Sequence, residues 1–119
     1  MTITAPKNIS CTIDLPASKS ISNRVLVVSA LSGEPGFENI SNLATCDDTN
    51  VVRSAFADGL PYEINIGAAG TAMRLMTAFL AQRDGEEHVI TGTKRMKERP
   101  IGILVNGLRS IGADIEYLE

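Results

Sequence analysis

The sequence predicts an α/β chain of repeated strand–helix units, on three observations. Short alternating stretches begin near residues 12, 37, 62, 87 and 114, a spacing of about 25 residues that suits one strand plus one helix. Helix-period apolar segments fall between them. Glycine or proline punctuates nearly every junction. The resulting βαβαβαβαβ order, read from periodicity alone, is half a barrel or a doubly wound sheet.

Thr12–Leu15 reads as the first strand. Ser18–Leu31 reads as a helix with Ser18 as N-cap, with Ile21, Val25 and Val28 inward, stopped by Ser32-Gly33 and Pro35. Phe37–Asn42 is expected as a strand. A second helix runs from Thr45, as N-cap, to about Ala57, with Asp47 and Asp48 explained as acids at a helix start. Gly59 and Pro61 end it, and Tyr62–Ile66 alternates as a strand. Gly67-Ala68-Ala69-Gly70-Thr71 then turns into a third helix reaching Ala81 or Gln82, apolar nearly all round and therefore buried. Glu87–Thr91 is a strand, and Gly92 to Arg99 a basic loop. Pro100 suits a first helical position, with Ile101, Leu104, Val105, Leu108 and Ile111 as one apolar stripe up to Gly112. Asp114–Leu118 alternates as a last strand, so that the chain stops at Glu119 as if cut rather than finished.

A length of 119 residues permits one domain or a piece of a larger one. The formal net charge of −3 argues against a general nucleic-acid or membrane-surface binder. No apolar run approaches a membrane span, and the N-terminus lacks a signal-peptide core. Cys11 and Cys46 are isolated thiols that suit a reducing, cytoplasmic setting, and one histidine cannot make a His-rich metal site. His88, within a strand, reads as structural.

The arrangement of cations says more than their sum. Seven of eleven Lys and Arg residues (Lys19, Arg24, Arg74, Lys94, Arg95, Lys97, Arg99) lie at or just before three helix starts. A helix N-terminus is a positive pole, where a cation costs roughly 0.3–1 kcal/mol that an acid would gain. The helix opened by Asp47 and Asp48 shows the ordinary arrangement in the same chain. Cations that merely point into water would look alike at any one junction. Three junctions together (Ala17–Arg24, Gly67–Arg74 and Gly92–Pro100) point to a small anionic ligand. Two sharper motifs fail. Ser18-Lys19-Ser20 lacks the glycines a P-loop needs at the positions of Ile13 and Ser18, and Gly67-Ala68-Ala69-Gly70 lacks dinucleotide-fingerprint spacing.

The stretches LPASKSISNR, NIGAAGTAMRLM and TGTKRMKERPIGILVNGLRSIGA, in that order, resemble the 5-enolpyruvylshikimate-3-phosphate (EPSP) synthase family. The resemblance runs from about Thr12 to Leu118 and covers roughly the first quarter of the family's full chain. It implies transfer of the enolpyruvyl group of phosphoenolpyruvate to the 5-hydroxyl of shikimate 3-phosphate, with no metal or organic cofactor. It also implies an inside-out α/β barrel (a β/α prism) of two domains, with residues 1–18 as a strand of the lower domain and 19–119 as part of the upper one. By resemblance Lys19 contacts phosphoenolpyruvate between the two substrates, and Ser20 and Arg24 bind shikimate 3-phosphate. Gly70 lines the phosphoenolpyruvate pocket, where the herbicide glyphosate also fits, and Arg99 grips phosphoenolpyruvate. Thr71 and Arg74 match positions that shape the same pocket. Three features depart from the family pattern: Ala68 stands where Asn is common, Leu75 where Pro is common, and the link Asp58–Pro61 is short. The implied partners are the two substrates and the remainder of the enzyme chain, with these residues alone expected to be inactive. Two other readings are a stand-alone anion-binding or interaction module and a fragment of the sister transferase acting on a UDP-sugar. The latter's reactive-cysteine loop is not evident.

Overall fold

The computed structural model describes residues 1–33 and 37–118; Pro35, expected to help stop the first helix, lies outside them, as does Glu119. Helix α1 (Lys19–Leu31) starts where Ser18 caps it, the serine Oγ accepting the Ile21 N–H at 3.4 Å. Its buried face is Ser22, Asn23, Leu26 and Val27, not the expected Ile21, Val25 and Val28. Both sets have helical spacing, so periodicity alone could not choose between them. The choice falls to the second set because the loop before the next helix docks there, the Ala44 N–H donating to Ser22 Oγ at 2.9 Å.

Phe37–Asn39 forms a 3-10 turn where a strand was expected. Phe37 instead stacks beside Phe56 at 5.5 Å, and this aromatic contact holds the segment against the helices. Helix α2 (Asp47–Ala57) begins at Asp47, with Cys46 rather than Thr45 at the cap position and no side-chain cap bond. Its end is a Schellman motif. Gly59, at φ 72°, donates to Phe56 O (3.2 Å), and Leu60 donates to Ala55 O (2.9 Å).

Strand β1 (Glu63–Asn65), helix α3 (Gly70–Leu80) and strand β2 (Val89–Thr91) make one parallel βαβ unit. Ile64 pairs with Ile90, and the Ile66 N–H extends the ladder to Thr91 O at 2.9 Å. Helix α3 is buried as expected, through Gly70, Ala72, Met73, Met76 and Phe79. Phe79 meets Phe56 edge-on at 5.0 Å, joining α3 to α2. The core is thus the meeting of α1, α2 and α3 over the short sheet.

The basic stretch after β2 is not all loop. Lys94–Lys97 forms a helical turn, α4, because Met96 enters the core at 3% exposure. Helix α5 (Gly102–Ser110) starts two residues after Pro100 and buries only Val105 of its expected stripe; Ile111 is exposed.

Neither Thr12–Leu15 nor Asp114–Leu118 forms a strand. A strand needs a neighbour's backbone, and the apolar side chains Ile13, Leu15 and Leu118 stand in solvent without one. The last segment is fastened to α5 instead, Arg109 donating to Ile115 O through Nε at 2.8 Å and stacking over Tyr117. The radius of gyration is 17.9 Å, against about 13.5 Å for a compact domain of this length. The chain is therefore more extended than a compact domain, in keeping with the exposed residues 1–16.

Candidate functional site

Two of the three basic junctions are one place. The β1–α3 turn is shaped by Asn65, whose side-chain oxygen accepts the Gly67 N–H at 2.9 Å. The β2–α4 turn lies against it, the Thr93 N–H donating to Gly67 O at 2.9 Å. Gly92 is required at this crossing, since a Cβ there would sit 2.6 Å from the Gly67 carbonyl oxygen.

Arg99 comes from the far end of this crossing and turns back onto the first turn of α3. Its guanidinium lies so close over Gly70 that a Cβ on Gly70 would collide with it. Arg74 frames the same spot from within α3. Its Nη1 donates to Gly70 O at 3.1 Å and its Nη2 to Pro100 O at 3.3 Å, which clips the start of α3 to the chain entering α5. Thr71 follows Gly70 in the same turn and is half-buried. A positive helix pole, an arginine laid across it and a second arginine beside it gather the kind of groups that an anion would need. Met96 was not singled out from the sequence, yet its burial carries Arg99 to this position. The signal was present as one apolar residue among four cations.

The first junction is held differently. Lys19, the first residue of α1, pairs with Asp48 of α2, Nζ to Oδ2 at 3.5 Å. Ser20 is exposed, and Arg24 curls back so that Nη1 donates to Ser20 O at 2.8 Å. Helices α1 and α3 pack together, and Lys19, Ser20 and Arg24 lie in the first two turns of α1. No direct bond joins them to Gly70 or Arg99 among the described residues. Asp48 was read from the sequence as a helix-start acid and nothing more.

Beside this pair, Cys46 Sγ lies 3.4 Å from Thr49 Oγ1. That hydrogen bond, opposed by burial, pulls the thiol below its ordinary range. His88 is structural: its ring reaches Pro61 O through Nδ1 and Glu86 through Nε2, each at 3.1 Å.

A groove of about 310 Å³ between α2 and β1 is lined by Asn50, Val51, Ser54, Asp58 and Glu63 among others. Its lining carries acids and no cation, which does not suit an anion. Among the described residues no helix is long and apolar enough to cross a membrane.

Comparison with known proteins follows the same residues. The profile of one family, described as EPSP synthase (3-phosphoshikimate 1-carboxyvinyltransferase), matches residues 3–58 and 52–119. A 3-phosphoshikimate 1-carboxyvinyltransferase of Bacteroides fragilis (strain YCH46) is 55% identical over 116 residues, 98% of this chain and 27% of that protein. Proteins of the same name from Vibrio atlanticus and Pectobacterium atrosepticum are 39% and 40% identical over 144 residues, covering all of this chain and 33% of each. The chain thus spans about a third or less of the length of these relatives. Both 144-residue matches exceed the 119 residues of this chain by 25, whereas the Bacteroides match does not. The family profile divides near the end of α2, beside the connection expected to be short.

Proposed function

The chain belongs to the EPSP synthase family, and on that footing we propose that it supplies the N-terminal part of an enolpyruvyl transferase. The reaction moves the carboxyvinyl group of phosphoenolpyruvate to the 5-hydroxyl of shikimate 3-phosphate and releases phosphate. The observation that carries this reading is the Arg99 guanidinium laid over Gly70 at the positive pole of α3. Both substrates bear phosphate and carboxylate groups, the chemistry such a site favours.

In this reading Arg99 and the Gly70 turn hold phosphoenolpyruvate, and Thr71 and Arg74 shape the wall of that pocket. Ser20 and Arg24 on α1 hold shikimate 3-phosphate, with Lys19 between the two substrates. Arg74 spends two donors on backbone oxygens, so its part is to fix the pocket rather than to grip the ligand. The reaction itself protonates the methylene carbon of phosphoenolpyruvate, adds the 5-hydroxyl at C2, and expels phosphate from the tetrahedral intermediate. The groups that move protons come from parts of the family's chain beyond these residues. Residues 1–18 join the lower domain and 19–119 the upper one of an inside-out barrel. The exposed, unpaired Ile13 and Leu15 suit a strand whose sheet lies elsewhere. The enzyme works in the cytoplasm, where its thiols stay reduced.

Two measurements test this. The 119-residue chain, given both substrates, releases no phosphate above background in a coupled assay; turnover at the level of a whole enzyme overturns the division of the site. Calorimetry at low salt shows weak binding of the phosphorylated substrates that fades as salt rises. Absence of any heat with either substrate counts against the anion site.

A further inference from the structure

We propose that Asp48 is a positioning residue that holds the Lys19 ammonium in place for the substrate anions. The inference rests on the reading of Lys19 as a phosphoenolpyruvate contact. Asp47 and Asp48 both occupy the first turn of α2, and either would complement that helix pole. Asp47 is exposed, whereas Asp48 faces α1 and meets the lysine. Within the pair the acid is the anchor and the lysine the reaching arm, with side-chain exposures of 20% and 48%.

The first turn of α2 is a firm base for that anchor. Thr49 is buried, its N–H donates to Cys46 O at 3.0 Å, and its hydroxyl meets Cys46 Sγ. Lysine at the first position of α1 is repelled by its own helix pole and would otherwise sample many rotamers. A carboxylate across the α1–α2 contact selects among them. At 3.5 Å the pair is looser than a tight charge-assisted bond of about 2.7–2.9 Å. One carboxylate oxygen at that distance engages at most one of the three ammonium N–H donors, so the others can serve a substrate. An ion pair this exposed contributes little to stability. Its consequence is where the charge stands.

The test uses the full-length enzyme carrying this segment, with steady-state kinetics in phosphoenolpyruvate and a thermal melt for every variant. Asp48→Asn lowers kcat/KM for phosphoenolpyruvate roughly ten- to a hundredfold, as misplacement of a substrate-holding group does, with little change in melting. Asp48→Glu, which keeps the charge, recovers most of the loss. Asp47→Asn, which removes only a helix-pole acid, stays within about twofold of the parent. In a Lys19→Met background, Asp48→Asn adds less than about twofold, the non-additivity expected when one residue acts through the other. If Lys19→Met impairs the enzyme and Asp48→Asn does not, or costs as much in the Lys19→Met background as alone, the positioning role is overturned. If Lys19→Met itself leaves kinetics unchanged, the reading of Lys19 falls and this inference with it.

Discussion

Gly92 and Glu86 show how much a single residue decides here. Gly92 lies where two turns cross, and an added methyl would meet backbone, which has little room to yield. Gly92→Ala therefore destabilises the chain by about 1–3 kcal/mol, the range for overpacking, read as a lower urea midpoint. At Gly70 the obstacle is instead the tip of a side chain. Gly70→Ala leaves the fold standing but pushes the Arg99 guanidinium off the pole of α3. Glu86 makes a small, solvent-screened contribution to the acid limb of stability. The Arg83 guanidinium, bonded to it at 2.6 Å, and then His88, lower its carboxyl from 4.5 to about 2. A carboxyl lowered by folding stabilises fully above its unfolded value. That stability is lost as pH falls from about 4.5 toward 2. Glu86→Gln flattens the stability profile in this window, with a small loss near neutrality and no change below about pH 2, an outcome that pH-resolved urea titrations would check. Lys19 and Arg99 stood out in the sequence because a cation at or just before a helix start is locally anomalous, whereas Gly70 was singled out by its small-residue turn and by the family resemblance. Asp48 was not, since an acid in a first helical turn has a sufficient local explanation.

At the scale of elements, α4 links core to site. Met96 is the buried foot of a basic turn, and Arg99 leaves that turn to reach α3. Met96→Ala costs about 2–5 kcal/mol as a large-to-small core change. On the proposed function it also weakens binding of the phosphorylated substrates, because Arg99 loses its footing. Calorimetry and a thermal melt on the same variant separate the two effects. The elements themselves were largely readable. The second and third helices and the two strands flanking the latter begin within a residue or two of where caps, glycines and alternation place them. The expected strands at 12–15, 37–42 and 114–118 failed for a common reason. Alternation records which faces a strand would offer, and a strand forms only where another backbone lies beside it.

For the whole molecule, the apolar surface left uncovered decides its behaviour. Ile21, Val28 and Leu31 line one side of α1 at 64%, 64% and 53% exposure. In a longer family member this side would face further chain. Exposed together in the 119-residue chain, these side chains are expected to favour self-association. The expected outcome in sedimentation velocity is oligomers that grow with concentration, and a return to monomer for the chain carrying Ile21→Lys with Val28→Glu. These positions lie opposite the buried Leu26 and Val27, so the double change spares the core.

The sequence by itself determined the starts of α1, α2 and α3 to within a residue or two, the parallel βαβ unit around α3, the gathering of cations at helix starts and the family. Each of these is written in local spacing or in motifs read along the chain. Tertiary structure alone decided which side of α1 is buried, that the second and third junctions lie against each other, and that Lys19 pairs with Asp48. Those facts depend on contacts between residues distant in sequence, and one-dimensional periodicity is blind to which neighbour a face will meet.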